Sequence, residues 1–291
     1  MFNKNILLID IGGSKIRAKY LRMISTFDKT KEKKIAIKDK NMLENALVGL
    51  KQELKLSTKL ETIGVGIAGD VNHNLVTHKG MGLVKYDLAV KLKEIFQCNQ
   101  VIMLNDSVAA SQALPLNKSI IFASTGIGSA INHHNTELGH RTHITKENAL
   151  NTVKYTQSDQ TSNLEVIASG KGITSLQQKN IRTAKKLAID AKKGDIGAEN
   201  TLMQAGRYLG YAIASYHEHN LTKNLVDSSH IYIIDGSLGT NKIYFEGIKT
   251  GLKEYQVFHK NQNIKQSLIQ SANTKNSSEL IFKGLTKKLI K

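Results

Sequence analysis

The chain of 291 residues contains one cysteine, one proline and no tryptophan. A single thiol, Cys98, excludes a disulfide framework, a thiolate zinc cluster and a redox pair. Just ahead of an apolar run, it reads as a small packing residue rather than a nucleophile. No apolar stretch approaches the roughly 18–20 residues that a membrane-spanning helix requires. The opening MFNKN lacks the charged region, apolar region and small-residue cleavage site of a signal peptide. These absences point to a cytoplasmic protein with no membrane partner. Arginine is scarce as well, five of 41 basic residues, and the net charge of +17 comes from lysines spread along the whole chain. Dispersed lysine argues against a nucleic-acid groove and for a compositional bias, although a basic surface also attracts anionic nucleotides.

What is present describes an ordinary globular chain: 40% hydrophobic residues, no low-complexity tract, and length enough for a substantial core. Apolar runs predict strands over residues 5–10 and 16–23, joined as a hairpin, and a polar hairpin tip over 28–40 enclosing a short strand at 35–37. A helix over 41–56, a strand over 62–67, a helix over 87–96 and a strand ending at Asn105 follow. From Ser119 the pattern restarts with strand 120–123, turn 124–128 and strand 127–132. Helices are predicted over 165–168, 180–193 and 198–217, the last with Gly206 and Gly210 placed for close packing. A strand over 231–234 and helices over 243–255 and 278–290 complete the chain. The repeated hairpin predicts two similar α/β lobes, residues 1–112 and 113–277, with the helix at 278–291 returning to the first.

The strand ends carry the chemistry. At 101–111, VIMLNDSVAAS, a buried strand breaks into Asn105, Asp106 and Ser107. Ligands of open α/β sheets collect at the carboxyl ends of strands, so Asp106 is expected to face a cleft, with Ser107 capping the small-residue segment 108–113. Glycines follow apolar runs at 10–14 (DIGGS), 64–69 (GVGIAG), 124–128 (STGIG) and 235–239 (DGSLG). At such turns backbone N–H groups approach an anion closely. Phosphate-gripping turns beside a carboxylate suggest phosphoryl transfer. Each feature has a plainer reading: Asp106 as a helix cap, Asp10 as a strand-end turn residue, Glu165 as a glutamate favoured by a helix dipole.

Seven segments, in order, resemble the sugar kinases of the ROK group (repressor, open reading frame, kinase): DIGGSKIRA at 10–18, GVGIAGDV at 64–71, NDSVAAS at 105–111, STGIGSAI at 124–131, ELGH at 137–140, LEVIASGKGI at 164–173 and IIDGSLG at 233–239. The resemblance runs almost end to end and implies the two-lobed actin and hexokinase type of ATPase fold with an interlobe cleft. It implies a glucokinase-like activity, with ATP and magnesium as cofactors and a hexose or N-acetylhexosamine as substrate. Gly12, Gly13, Ser14 and Lys15 would then grip phosphate in one lobe, and Thr125, Gly126 and Gly128 in the other. Gly236 and Ser237 would add a further nucleotide turn, and Asp10 would hold magnesium through water. Asn105, Asp106, Glu137, His140 and Glu165 would contact the sugar, with Asp106 as the catalytic base.

The chain departs from the family where most members carry a cysteine-rich zinc loop: residues 141–163 contain no cysteine, so no zinc site is expected. Ser14 replaces a threonine in the first turn, and Ser124 replaces a glycine in the second, which disturbs the backbone if that position needs a positive φ. His133, His134, His140 and His143 form the only dense histidine group, but adjacent residues of a strand face opposite sides, and only His140 is kept, as a sugar contact. The alternative reading is a sugar or nucleotide sensor of the same group without catalysis. A repressor would carry a helix-turn-helix domain ahead of this fold, and only four residues precede the first strand. Oligomeric state stays open, a homodimer being one option.

Overall fold

The computed structural model describes residues 4–13, 15–24, 27–37, 39–56, 60–78, 81–156, 164–177, 182–272 and 278–290. The chain divides into two compact units, residues 1–114 with 278–291, and residues 115–277.

In the first unit β1 (Lys4–Gly12), β2 (Lys15–Ile24) and β3 (Phe27–Ala36) form an antiparallel meander. Helix α1 (Lys40–Glu53), capped by the Asp39 carboxylate, crosses to β4 (Thr62–Ile67), which lies parallel to β1. A small antiparallel sheet comes next, built of β5 (Asp70–Asn72), β6 (Leu75–His78) and β7 (Leu83–Asp87). Helix α2 (Leu88–Phe96), capped by Asp87, leads to β8 (Gln100–Asn105), parallel to β4, and to the short α3 (Asp106–Ser111). The main sheet has the order β3-β2-β1-β4-β8. Leu7, Ile9 and Ile11 pack with Leu43, Leu47 and Leu50 of α1 and with Leu88, Leu92 and Phe96 of α2. Each such side chain, fully buried, contributes roughly 1.5–3 kcal/mol. Cys98 belongs to this core, and burial pushes its thiol pKa up, away from nucleophilic use.

The second unit repeats the plan. Strands β9 (Lys118–Ala123), β10 (Ile127–Ile131) and β11 (His134–Asn135) make a meander. Short elements follow: α4 (Leu138–Arg141), β12 (Thr142–His143), α5 (Ala149–Thr152), β13 (Lys154–Tyr155) and α6 (Leu164–Ala168). Beyond a 3₁₀ turn at Gly172–Leu176 come α7 (Ala184–Lys192), the 27-residue α8 (Ile196–Thr222) and β14 (Ile231–Asp235), parallel to β9. Then α9 (Gly236–Gly239) and α10 (Lys242–Phe258) precede β15 (Ile269–Ser271), parallel to β14. The order β11-β10-β9-β14-β15 reproduces that of the first sheet, three antiparallel strands and then two parallel ones. The repetition visible in one hairpin therefore extends to the whole sheet. Helices α8 and α10 meet through Gly206 and Gly210 on one and Gly247 and Gly251 on the other, where a Cβ on any of the four would collide with facing backbone. Helix α11 (Ser278–Ile290) returns to the first unit, seating Ile281 against Gly66 and Gly284 against the Ala109 carbonyl.

Several local expectations are corrected. The stretch 28–40 is not a tip around a short strand; ten residues of it and its flank form the edge strand β3, too polar for alternation to reveal. Residues 72–86, to which the sequence pattern assigns no element, contain β6 and all of β7 but its last residue. Asn105, not Ser107, caps α3: its Oδ1 accepts from Ser107 N at 2.9 Å and Val108 N at 3.3 Å, so the helix starts two residues earlier. The second glycine turn is shorter than predicted, because Ile127 already pairs with Ala123 and Gly128 with Phe122. His133 does not lie in a strand; Asn132 (φ 48°) and His133 (φ 68°) form a two-residue turn between β10 and β11. Among the described residues no helix is long and apolar enough to cross a membrane.

Candidate active site

Two groups of side chains stand out, one in each unit. In the first, Asp10 stands on β1 shortly before that strand ends at Gly12 and the glycine turn. Gly12 pairs with Lys15, and Gly13 follows Gly12 at the turn, whereas Ser14 lies outside the described residues. Neither described glycine has a positive φ, and a Cβ would meet nothing closer than 3.7 Å at either. The fold itself does not demand glycine here, and what the absent side chains leave is access to the backbone N–H groups, the requirement of an anion.

Asp10 is buried, and desolvation pushes its carboxyl pKa up to about 6 against the lowering effects of Ser278, Arg17 and Lys15. The Ser278 hydroxyl donates to Asp10 Oδ2 and accepts from Arg17 Nη1 at 2.7 Å. Neither Arg17 nor Ser278 was singled out from sequence, since both reach Asp10 through strand register and a distant helix.

Asp106, half-buried, follows directly on β8 and is oriented by Ser107, whose N–H donates to Oδ1 at 2.7 Å and whose hydroxyl lies at 3.3 Å. The side chain of Asn105 is largely engaged, its oxygen capping α3 and its amide donating to the Gly69 carbonyl at 3.0 Å. Asn105 is thus first a scaffold for the Asp106 elbow, with one amide N–H left to offer a ligand.

In the second unit Glu137, His140 and Glu165 converge. His140 Nε2 lies 3.6 Å from Glu165 Oε2 and 3.9 Å from Glu137 Oε2, and its ring is more than half exposed. Glu165 also braces the second glycine turn: its Oε1 accepts from Ile127 N at 2.8 Å, and a Cβ on Gly126 would strike that same oxygen. Thr125 is exposed at the tip of the turn, and the Thr125 and Ser124 carbonyls accept from Lys171 N and Gly170 N. Ser124 is not among the positive-φ residues, so its replacement of glycine does not strain the backbone. Glu137 does adopt left-handed geometry (φ 50°, ψ 46°) and is held there by Asn135, whose amide donates to its carboxylate and whose oxygen accepts from its N–H at 3.3 Å. Strained non-glycine residues concentrate at functional sites. Asn135 escaped sequence reading because only the turn geometry brings it onto Glu137. Gly236, with φ +93°, is buried against the Ala123 backbone, while Ser237 beside it is exposed.

Among the described residues no three His, Cys, Asp or Glu side chains are grouped to hold a metal ion. A magnesium ion that arrives with phosphates keeps several waters and takes one or two carboxylates, and Asp10 would be such a carboxylate beside the first glycine turn.

A duplicated sheet with glycine turns and acids at its strand ends defines a two-lobed α/β protein of the actin and hexokinase type. The chain belongs to the ROK family, whose sequence model matches residues 6–281. Among solved structures it is similar to a ROK family glucokinase from Streptomyces griseus in complex with glucose and AMPPNP, at 16% identity over 97% of this chain and 98% of that one, TM-score 0.72. A glucokinase from Balamuthia mandrillaris in complex with glucose matches at 14% identity over 98% and 93%, TM-score 0.73. A ROK family transcriptional regulator, a homologue of the E. coli MLC protein, matches at 17% identity over 99% of this chain and 78% of that one, TM-score 0.67. No curated protein matches by sequence.

Proposed function

We propose that the protein is an ATP-dependent sugar kinase that transfers the γ-phosphate of ATP to a hydroxyl of a hexose or N-acetylhexosamine. The observation that carries this reading is the position of Asp106 at the end of a parallel strand, held by Ser107 with its carboxylate fixed in direction. A sugar hydroxyl becomes a competent nucleophile as its proton leaves, and an oriented carboxylate takes that proton. The rest of the work in phosphoryl transfer is positioning.

Glu137, His140 and Glu165 offer the paired acceptors and donor that a polyhydroxyl ligand needs in exchange for lost water. The open Gly12–Gly13 turn suits the phosphate chain of ATP, with Lys15, Thr125, Gly126 and Ser237 as further contacts and Gly128 and Gly236 as backbone supports. ATP supplies the transferred group, and Asp10 is the residue that would meet its magnesium through water.

The second reading is a regulator of the same family that senses a sugar or nucleotide without turnover. The likeness to the MLC homologue favours it as a rival, being no weaker in TM-score than that to a ROK hexokinase or to a glucokinase from an Antarctic psychrotroph. An ATP-consumption assay across hexoses, N-acetylhexosamines and ketoses, with and without magnesium, decides between them. Turnover of any one supports the kinase; ATP or sugar binding with no turnover of any supports the regulator.

A further inference from the structure

Behind Glu137 lies a connected set of hydroxyl groups. The residue sits in left-handed geometry (φ 50°, ψ 46°) between Thr136 and Leu138, and both neighbours are tied to one side chain of β10. Ser129 Oγ accepts from Leu138 N at 2.9 Å and lies 2.8 Å from Thr136 Oγ1, while the Ser129 carbonyl accepts from Thr136 N at 3.1 Å. Two tyrosines reach the same point from other elements. Tyr216 of α8 donates its hydroxyl to Thr136 Oγ1 at 2.5 Å, and Tyr155 of β13 donates to the Thr136 carbonyl at 2.8 Å. Both tyrosines are buried, and their rings meet edge to face with centroids 4.6 Å apart.

This clamp matters because of what hangs from Glu137. Its carbonyl accepts from His140 N at 3.0 Å and Arg141 N at 2.9 Å, so the short α4, and the His140 ring with it, take their position from this one residue. A left-handed backbone is unfavourable for a residue with a Cβ and persists only where the surroundings over-determine it. Here they fix the residue on each side, and the Asn135 amide fixes the carboxylate itself. Removing one hydroxyl of the set leaves its partners short of a hydrogen bond away from water.

We propose that Ser129, Thr136 and Tyr216 are positioning residues for the sugar: acting through the backbone of Glu137, they hold its carboxylate and the His140 ring in the arrangement that takes up the ligand's hydroxyl groups. This rests on the sugar reading of Glu137 and His140 given above. None of the three touches the ligand, and all belong to the same unit as the side chains they position.

The test is a coupling measurement. Calorimetric titration of the full chain with glucose, mannose, N-acetylglucosamine and N-acetylmannosamine, and separately with inorganic tripolyphosphate, is compared for wild type, Thr136→Val, Thr136→Ser and Tyr216→Phe. For whichever sugar wild type binds, valine, which lacks the hydroxyl, should weaken binding about tenfold, and Tyr216→Phe about fivefold. Serine keeps the hydroxyl and should stay within about threefold. Tripolyphosphate affinity should not move. The valine and phenylalanine substitutions are then placed on Glu137→Ala, where action through Glu137 shrinks the further loss to within about twofold, whereas a general structural role costs as much there as in wild type. Tyr216→Phe, which removes a single oxygen, carries the test if Thr136→Val does not fold. Unchanged sugar affinity in the folded variants, a parallel loss of tripolyphosphate, or losses that add in full to that of Glu137→Ala overturns the positioning role alone. Wild type binding none of the sugars, or Glu137→Ala binding them as well as wild type, overturns the sugar reading of Glu137 with it.

Discussion

Ser278, the first residue of α11, donates its hydroxyl to the carboxylate of Asp10 across 268 positions of sequence. Both side chains are buried, and Arg17 completes the set by donating to Ser278. The start of the last helix is thereby fixed to the first strand through buried polar contacts.

Removing that hydroxyl should be felt in stability. Ser278→Ala leaves a buried carboxylate short of a donor, a loss of about 1–3 kcal/mol, and raises the Asp10 pKa beyond about 6. Urea unfolding at pH 7 measures it. A change within a few tenths of a kcal/mol would mean that Asp10 finds another donor.

Asp10 itself should carry a stability penalty at neutral pH. Its folded pKa of about 6 lies above the ordinary 3.8, so between those values the folded protein keeps a proton the unfolded chain has lost. Stability therefore falls as pH rises through that window and stays lower above it. Asp10→Asn keeps an acceptor for Ser278 and should stabilise the ligand-free protein at pH 8 by up to about 3 kcal/mol, with the advantage gone by pH 4. Melting curves across that range test it. An asparagine variant less stable than wild type at pH 8 would show that the ionised carboxylate is compensated. The same variant should lose magnesium-dependent turnover, the pattern of a residue retained for function at the expense of stability.

The second unit should respond to acid in the opposite direction. His217 is wholly buried, with Nδ1 3.2 Å from the Tyr232 hydroxyl, and burial together with nearby His230 lowers its pKa from 6.5 to about 4. Below pH 6.5 the unfolded chain gains a proton that the folded one refuses, so stability is lost as pH falls toward 4, by about 3 kcal/mol at the end. His217→Leu should flatten the dependence of unfolding free energy on pH over that interval, whatever it does at pH 8. An unaltered slope would assign the acid sensitivity elsewhere, His230 being the next candidate.

For catalysis the discriminating variant is Asp106→Asn. It preserves shape and the contact with Ser107 but cannot accept a proton, so kcat should fall by on the order of 10²–10⁴ while sugar affinity changes far less. Steady-state kinetics with the sugar found by the panel assay measure both. If more than about a tenth of the turnover survives, a loss that small does not fit a general base, and Asp106 is only a first-turn residue of α3.

Much of this was legible in the chain. Buried strands such as β1, β4 and β9 are local signals, and with the glycines after β1 and β9 they drew attention to Asp10 and the two turns; β8 buries only Met103, yet its apolar run still pointed to Asp106. Edge and minor strands were not: β3 lacks alternation, and β6 is four residues long. The supporting residues were hidden for a different reason. Ser278 meets Asp10, and Glu165 meets Ile127, only because the sheet and helices bring distant positions together.

The split composition of the first unit sets the order in which the protein is made. A ribosome finishes all of residues 115–277 before it supplies α11, so the unit whose synthesis starts first is the one completed last. Until then Gly64 and Gly66 of β4 have nothing to receive, because Leu285, Leu289 and Ile281 have yet to be translated. During that interval the nascent chain holds a finished second half and an open apolar groove in the first, the condition in which chaperones bind and aggregates start.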